Sequence, residues 1–135
     1  MENVKVAIWG FGAMGSGMAR MLLHKKGVDI VGVCDMHPER VGKSIFEVLG
    51  VARGARKDVL IKADIDEVLT DKCCDVCLCA TDSFTKNAFP RLKLALEKKV
   101  NVISTAEEMS YPQAQNPDLA EELNKIAKEN GVTIL

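Results

Sequence analysis

The residues able to do chemistry fall in four short stretches. Gly10-Phe11-Gly12-Ala13-Met14-Gly15 places glycines at the spacing G-x-G-x-x-G after an apolar run, and Asp35 closes a second apolar run about 20 residues later. This pattern fits a dinucleotide. Gly10 allows a tight turn out of a strand, Gly12 lets the backbone approach a pyrophosphate, and Gly15 lets the next helix pack against that strand. The pyrophosphate needs no basic side chain, because the backbone N–H groups from Gly10 to Gly15 and the N-terminus of the helix that follows can take it. Asp35 would accept from the adenosine ribose, which favours NAD, while Arg40 and Lys43 could neutralise a 2′-phosphate and keep NADP open. Ala80-Thr81-Asp82-Ser83 ends a third apolar run and would pass beside the nicotinamide ribose, unless Asp82 or Ser83 simply caps a helix. Residues 104–112 bring Glu107, Glu108 and Tyr111, two carboxylates and a phenol suited to a cationic substrate, although glutamates at a helix start are favoured by the macrodipole alone. His24 and His37 have no partner that points to catalysis, and no residue stands out for proton transfer.

Strand and helix signals alternate along the whole chain. The periodicity predicts a strand over 4–9 and a helix from near Ala13 to Gly27, with Met14, Met18, Met21 and Leu22 facing the core. A strand over 29–35 follows, then a helix with Pro38 in its first turn, running to about Leu49 and ended by Gly50. An edge strand over 59–61 precedes a short helix capped by Asp64 and Glu67. Residues 76–80, apolar throughout, read as an interior parallel strand. A helix restarts at Pro90 and runs to about Lys98, a strand covers 101–104, and a last helix opens at Asn116-Pro117 with Leu119, Leu123 and Ile126 on one face. Gly131 ends it before a terminal strand over 132–135. Six strands with right-handed crossovers imply an α/β fold, a doubly wound parallel sheet of Rossmann type in the order 3-2-1-4-5-6, as one domain over residues 1–135.

Composition excludes several function classes. Eighteen basic and nineteen acidic residues leave a net charge of −1, so no global field would recruit nucleic acid or an anionic membrane. No basic segment precedes an apolar stretch and no apolar run is long enough to span a bilayer, so the cytoplasm is the expected location. Cys74-Asp-Val-Cys77 spells C-x-x-C, but neither a second pair nor a nearby histidine completes a metal site, and no metal is expected. Cys77 and Cys79 are expected on one side of a buried strand as small apolar fillers.

Gly10-Phe11-Gly12-Ala13-Met14-Gly15-Ser16-Gly17-Met18, Cys79-Ala80-Thr81-Asp82-Ser83-Phe84 and Asn101-Val102-Ile103-Ser104-Thr105-Ala106-Glu107-Glu108-Met109-Ser110-Tyr111-Pro112 together resemble the amino-terminal domain of the 2,4-diaminopentanoate dehydrogenase family, in the group related to dihydrodipicolinate reductase. The resemblance implies NAD(P)-dependent oxidative deamination of 2,4-diaminopentanoate to 2-amino-4-oxopentanoate, a step in ornithine breakdown. It also implies a small cationic amino-acid substrate held by Glu107 or Glu108, a homo-oligomer, and a substrate domain after residue 135 without which turnover is not expected. The alternative is a stand-alone nucleotide-sensing regulatory module, which has no obvious need of residues 104–112. A methyltransferase fits less well, because the third glycine keeps the dinucleotide spacing.

Overall fold

A computed structural model describes residues 2–135; Met1, counted in the expected domain, lies outside them. Five strands, β1 (Val4–Trp9), β2 (Val28–Cys34), β3 (Ile61–Lys62), β4 (Val76–Cys79) and β5 (Asn101–Ser104), form a sheet in the order β3-β2-β1-β4-β5. All its ladders are parallel. The expected sixth strand is reduced to a bridge, in which Ile134 pairs with Val102 and the Ser104 N–H donates to the Leu135 carbonyl at 2.8 Å. Helices α1 (Ala13–Leu23), α2 (Ile45–Leu49), α3 (Thr85–Glu97) and α4 (Pro117–Asn130) supply the crossovers. Among the described residues no helix is long and apolar enough to cross a membrane.

Strand alternation builds two cores, one on each face of the sheet. Val6, Ile8, Val33 and Leu78 pack with α1 and α2, whereas Ala7, Cys77, Cys79 and Val102 pack with α3 and α4. The Cys77 and Cys79 sulfurs lie 3.9 Å apart in the second core.

Three helices depart from the periodicity. In α1 the face turned inward is Gly15, Met18, Ala19 and Leu22, while Met14 and Met21 are exposed. The helix is rotated because Gly15 must face the chain leaving β1; a methyl group there would sit 1.8 Å from the Gly10 carbonyl oxygen. Residues 38–43 make turns rather than the first half of α2. Gly42 takes φ +85° and donates to the Ile61 carbonyl at 2.8 Å, which ties this stretch to β3 before Ser44 caps the short helix. Helix α3 begins at Thr85 and continues through Pro90 instead of restarting there. Lys86, whose carbonyl loses its partner at Pro90, is exposed, so water can take that bond. Residues 65–67 form a single 3-10 turn capped by Asp64.

Helix α3 ends in a Schellman motif, with Lys99 N–H donating to the Leu96 carbonyl and Val100 N–H to that of Ala95. Lys99 is left-handed at φ +60° in a place where glycine is unstrained. Lys99→Gly is therefore expected to stabilise the chain by about 1 kcal/mol, read from urea unfolding; a loss of stability would contradict this account.

Candidate functional site

Backbone bonds extend the ladders past the strand ends and align four loops at the carboxyl edge of the sheet. Gly10 N–H donates to Cys34 O at 2.8 Å, Ala80 N–H to Trp9 O at 2.8 Å, and Thr105 N–H to Cys79 O at 3.0 Å. This is the edge where open α/β sheets hold ligands, at the point where strand order reverses. Within the first loop, Gly10 sits at φ +98° and an added Cβ would lie 2.6 Å from Ala80 O. Gly12 is different: a Cβ there would meet nothing within 4 Å. Gly12 is also the cap of α1, which has no side-chain cap and no acidic residue in its first turn. The Ala13 and Met14 end of α1 thus presents uncapped helix N–H groups beside an open glycine face, a cradle that suits a pyrophosphate.

Asp35 stands immediately after β2. Its Oδ2 accepts from the Phe11 N–H at 2.6 Å and from Arg40 at 3.4 Å, and its Oδ1 accepts from the His37 N–H at 2.8 Å. The carboxylate therefore braces the glycine loop, with Phe11 itself buried beneath it. Oδ1 keeps room for a ribose hydroxyl, and Arg40 is partly exposed and paired only at the long limit, free to turn toward a phosphate.

The third and fourth loops meet each other. Met14, Ala80, Thr81, Asp82, Ser83, Phe84, Asn87, Thr105 and Glu107 line a cavity of about 410 Å³. Neither Asp82 nor Ser83 caps α3. Asp82 is held by Arg91, at 2.5 Å, and by the Thr81 hydroxyl, at 2.9 Å. Arg91 is a residue that sequence reasoning missed, because the expected helix break at Pro90 hid its spacing of nine from Asp82. The α3 terminus is instead satisfied from the fourth loop: Glu108 Oε1 accepts from Thr85 N–H at 2.8 Å and from Asn116 at 3.3 Å.

The two adjacent glutamates consequently have different roles. Glu108 is turned away, locked between α3 and α4, while Glu107 is exposed on the cavity wall. Hydrogen bonding to its own backbone N–H and to Ser83 holds the Glu107 carboxyl below the usual glutamate range, so it keeps its charge at neutral pH. Tyr111 is 68% exposed and lines another groove, formed with Met109, Pro117 and Leu135. Glu108→Ala is expected to cost about 1 kcal/mol through the lost helix cap, with Glu108→Gln recovering part of it and Glu107→Ala changing stability little. Equal thermal shifts for the two alanine variants would contradict this division.

Cys34, Cys74 and Cys77 are held as thiols. Burial pushes Cys34 up to about 11 and Cys74 up to about 12, while the bond to Cys79, together with burial, raises Cys77. Among the described residues no group of histidine, cysteine, aspartate or glutamate is placed to hold a metal ion.

A family model described as dihydrodipicolinate reductase, N-terminus, matches residues 4–134. The chain belongs to this family. A relative of this dihydrodipicolinate reductase N-terminal domain, a 2,4-diaminopentanoate dehydrogenase of Acetoanaerobium sticklandii, is 53% identical over 135 residues, covering all of this chain and 38% of its own length. An amine dehydrogenase from Mycobacterium smegmatis superposes with a TM-score of 0.89 at 35% identity, covering 98% of this chain and 38% of that one. A protein of gentamicin A biosynthesis in complex with NAD gives a TM-score of 0.73 at 26% identity over 99% of this chain and 34% of that one. The domain thus spans 38% of the length of the curated relative it matches.

Proposed function

We propose that this chain is the cofactor-holding part of an NAD(P)-dependent dehydrogenase that oxidatively deaminates a small diamino acid, with 2,4-diaminopentanoate as substrate and 2-amino-4-oxopentanoate as product. The observation that carries the reading is the pairing of an open Gly12 face and uncapped α1 N-terminus with the Asp35 carboxylate, which together fit a pyrophosphate and a ribose. The bound nicotinamide would supply the hydride acceptor. The Ala13 and Met14 N–H groups would hold the pyrophosphate, Asp35, which already accepts from the Phe11 N–H, the adenosine ribose, and the loop from Ala80 to Ser83 the second ribose. Glu107 would attract an ammonium group of the substrate, a role that Glu108 is poorly placed to share. Support for the substrate comes from the 53% identity to the 2,4-diaminopentanoate dehydrogenase.

Both NAD and NADP are accepted on this reading, with NAD favoured by Asp35 and NADP admitted by rotation of Arg40. The cytoplasm is the proposed setting, and the whole protein is proposed to assemble as a homo-oligomer. Hydride transfer needs the substrate held against the nicotinamide in near-attack geometry, and the cavity wall offers only two carboxylates among the described residues, Glu107 and an Asp82 already paired with Arg91. Residues 1–135 are therefore proposed to bind cofactor without turnover.

Isothermal titration of residues 1–135 with NADH, NADPH and adenosylmethionine tests the proposal. Binding of the nicotinamide cofactors but not of adenosylmethionine is expected. Binding of neither nicotinamide cofactor sinks the reading, and turnover of 2,4-diaminopentanoate by these residues alone sinks the proposed division of labour. The regulatory-module alternative predicts cofactor binding with no diamine oxidation even by the longer protein.

A further inference from the structure

A cavity of about 910 Å³ lies at the amino edge of the sheet, bounded by the starts of β1 and β2, the end of α1 and residues 55–59. The length of β1 puts it ~20 Å from the glycine loop, and it shares no lining residue with the cavity of Glu107. Its lining carries five cations, Lys5, Lys25, Lys26, Arg56 and Lys57, against two carboxylates, Asp29 and Asp58. The chain as a whole has a net charge of −1, so this edge concentrates positive charge. Both carboxylates are engaged by neutral donors. Asp29 accepts from the Asn3 amide at 3.3 Å, and Asp58 accepts from the Ser44 hydroxyl and, at 2.9 Å, from the Val59 N–H. Among the described residues none of the five cations makes an ion pair.

Arg56 is held in place without a ligand. Its guanidinium lies 5.7 Å from the centre of the Phe46 ring and donates to the Ala52 carbonyl at 3.3 Å and the Leu23 carbonyl at 3.4 Å. Those bonds use only part of its N–H fork, so the rest is available to an anion on a group already oriented. Ile45, Phe46 and Val59 line the same cavity with buried apolar side chains. The carboxyl end of α1 accounts for Lys25 and Lys26, which follow it and suit the negative end of a helix. It does not account for Lys5 on β1 or Lys57 in the loop before β3. Like charges gathered without counter-charges repel one another, and a bound anion relieves that repulsion.

We propose that this cavity is a second ligand site, for a small phosphate monoester with an apolar body, separate from the cofactor edge. The phosphate of such a ligand carries about two negative charges at neutral pH and matches the Arg56 fork with lysines around it. The volume lies within the ~300–1,000 Å³ usual for ligand pockets and exceeds what a phosphate alone would fill, which leaves the apolar wall for the rest of the molecule. The site does not rest on the cofactor reading.

Phenyl phosphate and inorganic phosphate are the probes, titrated calorimetrically into the unsubstituted chain and into a Lys25→Gln/Lys26→Gln/Lys57→Gln variant. A Lys86→Gln/Lys93→Gln/Lys128→Gln variant makes the same change of charge away from the cavity. The three cavity lysines are exposed, so their variant is expected to melt with the unsubstituted chain. Phenyl phosphate is expected to bind the unsubstituted chain about tenfold more tightly than inorganic phosphate does. It is expected to bind about tenfold more weakly to the cavity variant and to change by less than about twofold in the control. Equal affinities for the two probes overturn the apolar body of the ligand. Equal losses in the two lysine variants reduce the effect to net charge and overturn the site. Binding that survives in the cavity variant and is displaced by NADH belongs to the glycine loop, which overturns the site while leaving the cofactor reading intact. Absence of phenyl phosphate binding to the unsubstituted chain overturns it outright.

Discussion

Gly15→Ala is expected to destabilise the chain by about 3 kcal/mol and to lower its melting temperature by roughly 10 °C. The added methyl would sit 1.8 Å from the Gly10 carbonyl oxygen and 2.8 Å from its carbon. Those are backbone atoms of a residue already fixed at φ +98° and bonded through its N–H to Cys34 O, so no flexible side chain can yield. Gly12→Ala, three residues earlier, is expected to do the opposite. Its methyl meets nothing within 4 Å, so the melting temperature should hold. NADH affinity should nevertheless fall about 100-fold, since the methyl fills the space that the pyrophosphate needs for contact with the backbone. Calorimetric melting and NADH titration on both variants give a crossed pattern. A Gly15→Ala protein that melts normally, or a Gly12→Ala protein that binds normally, contradicts the assignment of that glycine.

Asp35→Ala has the second large expected effect, about a 30-fold loss of NADH affinity. That figure corresponds to about 2 kcal/mol, the scale of a hydrogen bond to a charged group. The substitution removes the ribose acceptor and also strands the Phe11 and His37 N–H groups that the carboxylate receives at 2.6 and 2.8 Å. NADPH should lose less, because the freed Arg40 becomes available to a 2′-phosphate. Arg40→Ala is expected to reverse the order, weakening NADPH and sparing NADH. Equal losses for both cofactors in Asp35→Ala would mean that bracing the glycine loop is the whole of its contribution.

The sequence carried the strands, their order and the glycine loop because those signals are local. The apolar runs that end β1 and fill Val76–Cys79 are direct consequences of a sheet covered on both faces, and the three glycines fall within six consecutive residues with a strand before them. What escaped was set by distant contacts. The phase of α1 depends on Gly15 meeting Gly10 in space, so Met14 and Met21 read as core although they face water. Pro90 read as a break because nothing local shows that the carbonyl it orphans belongs to an exposed turn. Glu107 and Glu108 were indistinguishable in sequence. Only the bond from Thr85, 23 residues away, separates the one locked in the scaffold from the one left facing the cavity.

The backbone bonds that tie Gly10 to Cys34, Ala80 to Trp9 and Thr105 to Cys79 carry an expectation for the kinetics of ligand capture. Loops anchored in this way lose their conformational freedom when the sheet folds, so an arriving ligand has little left to order. Association should then proceed without a slow closing step, and differences in affinity among nicotinamide analogues should reside in their dissociation rates.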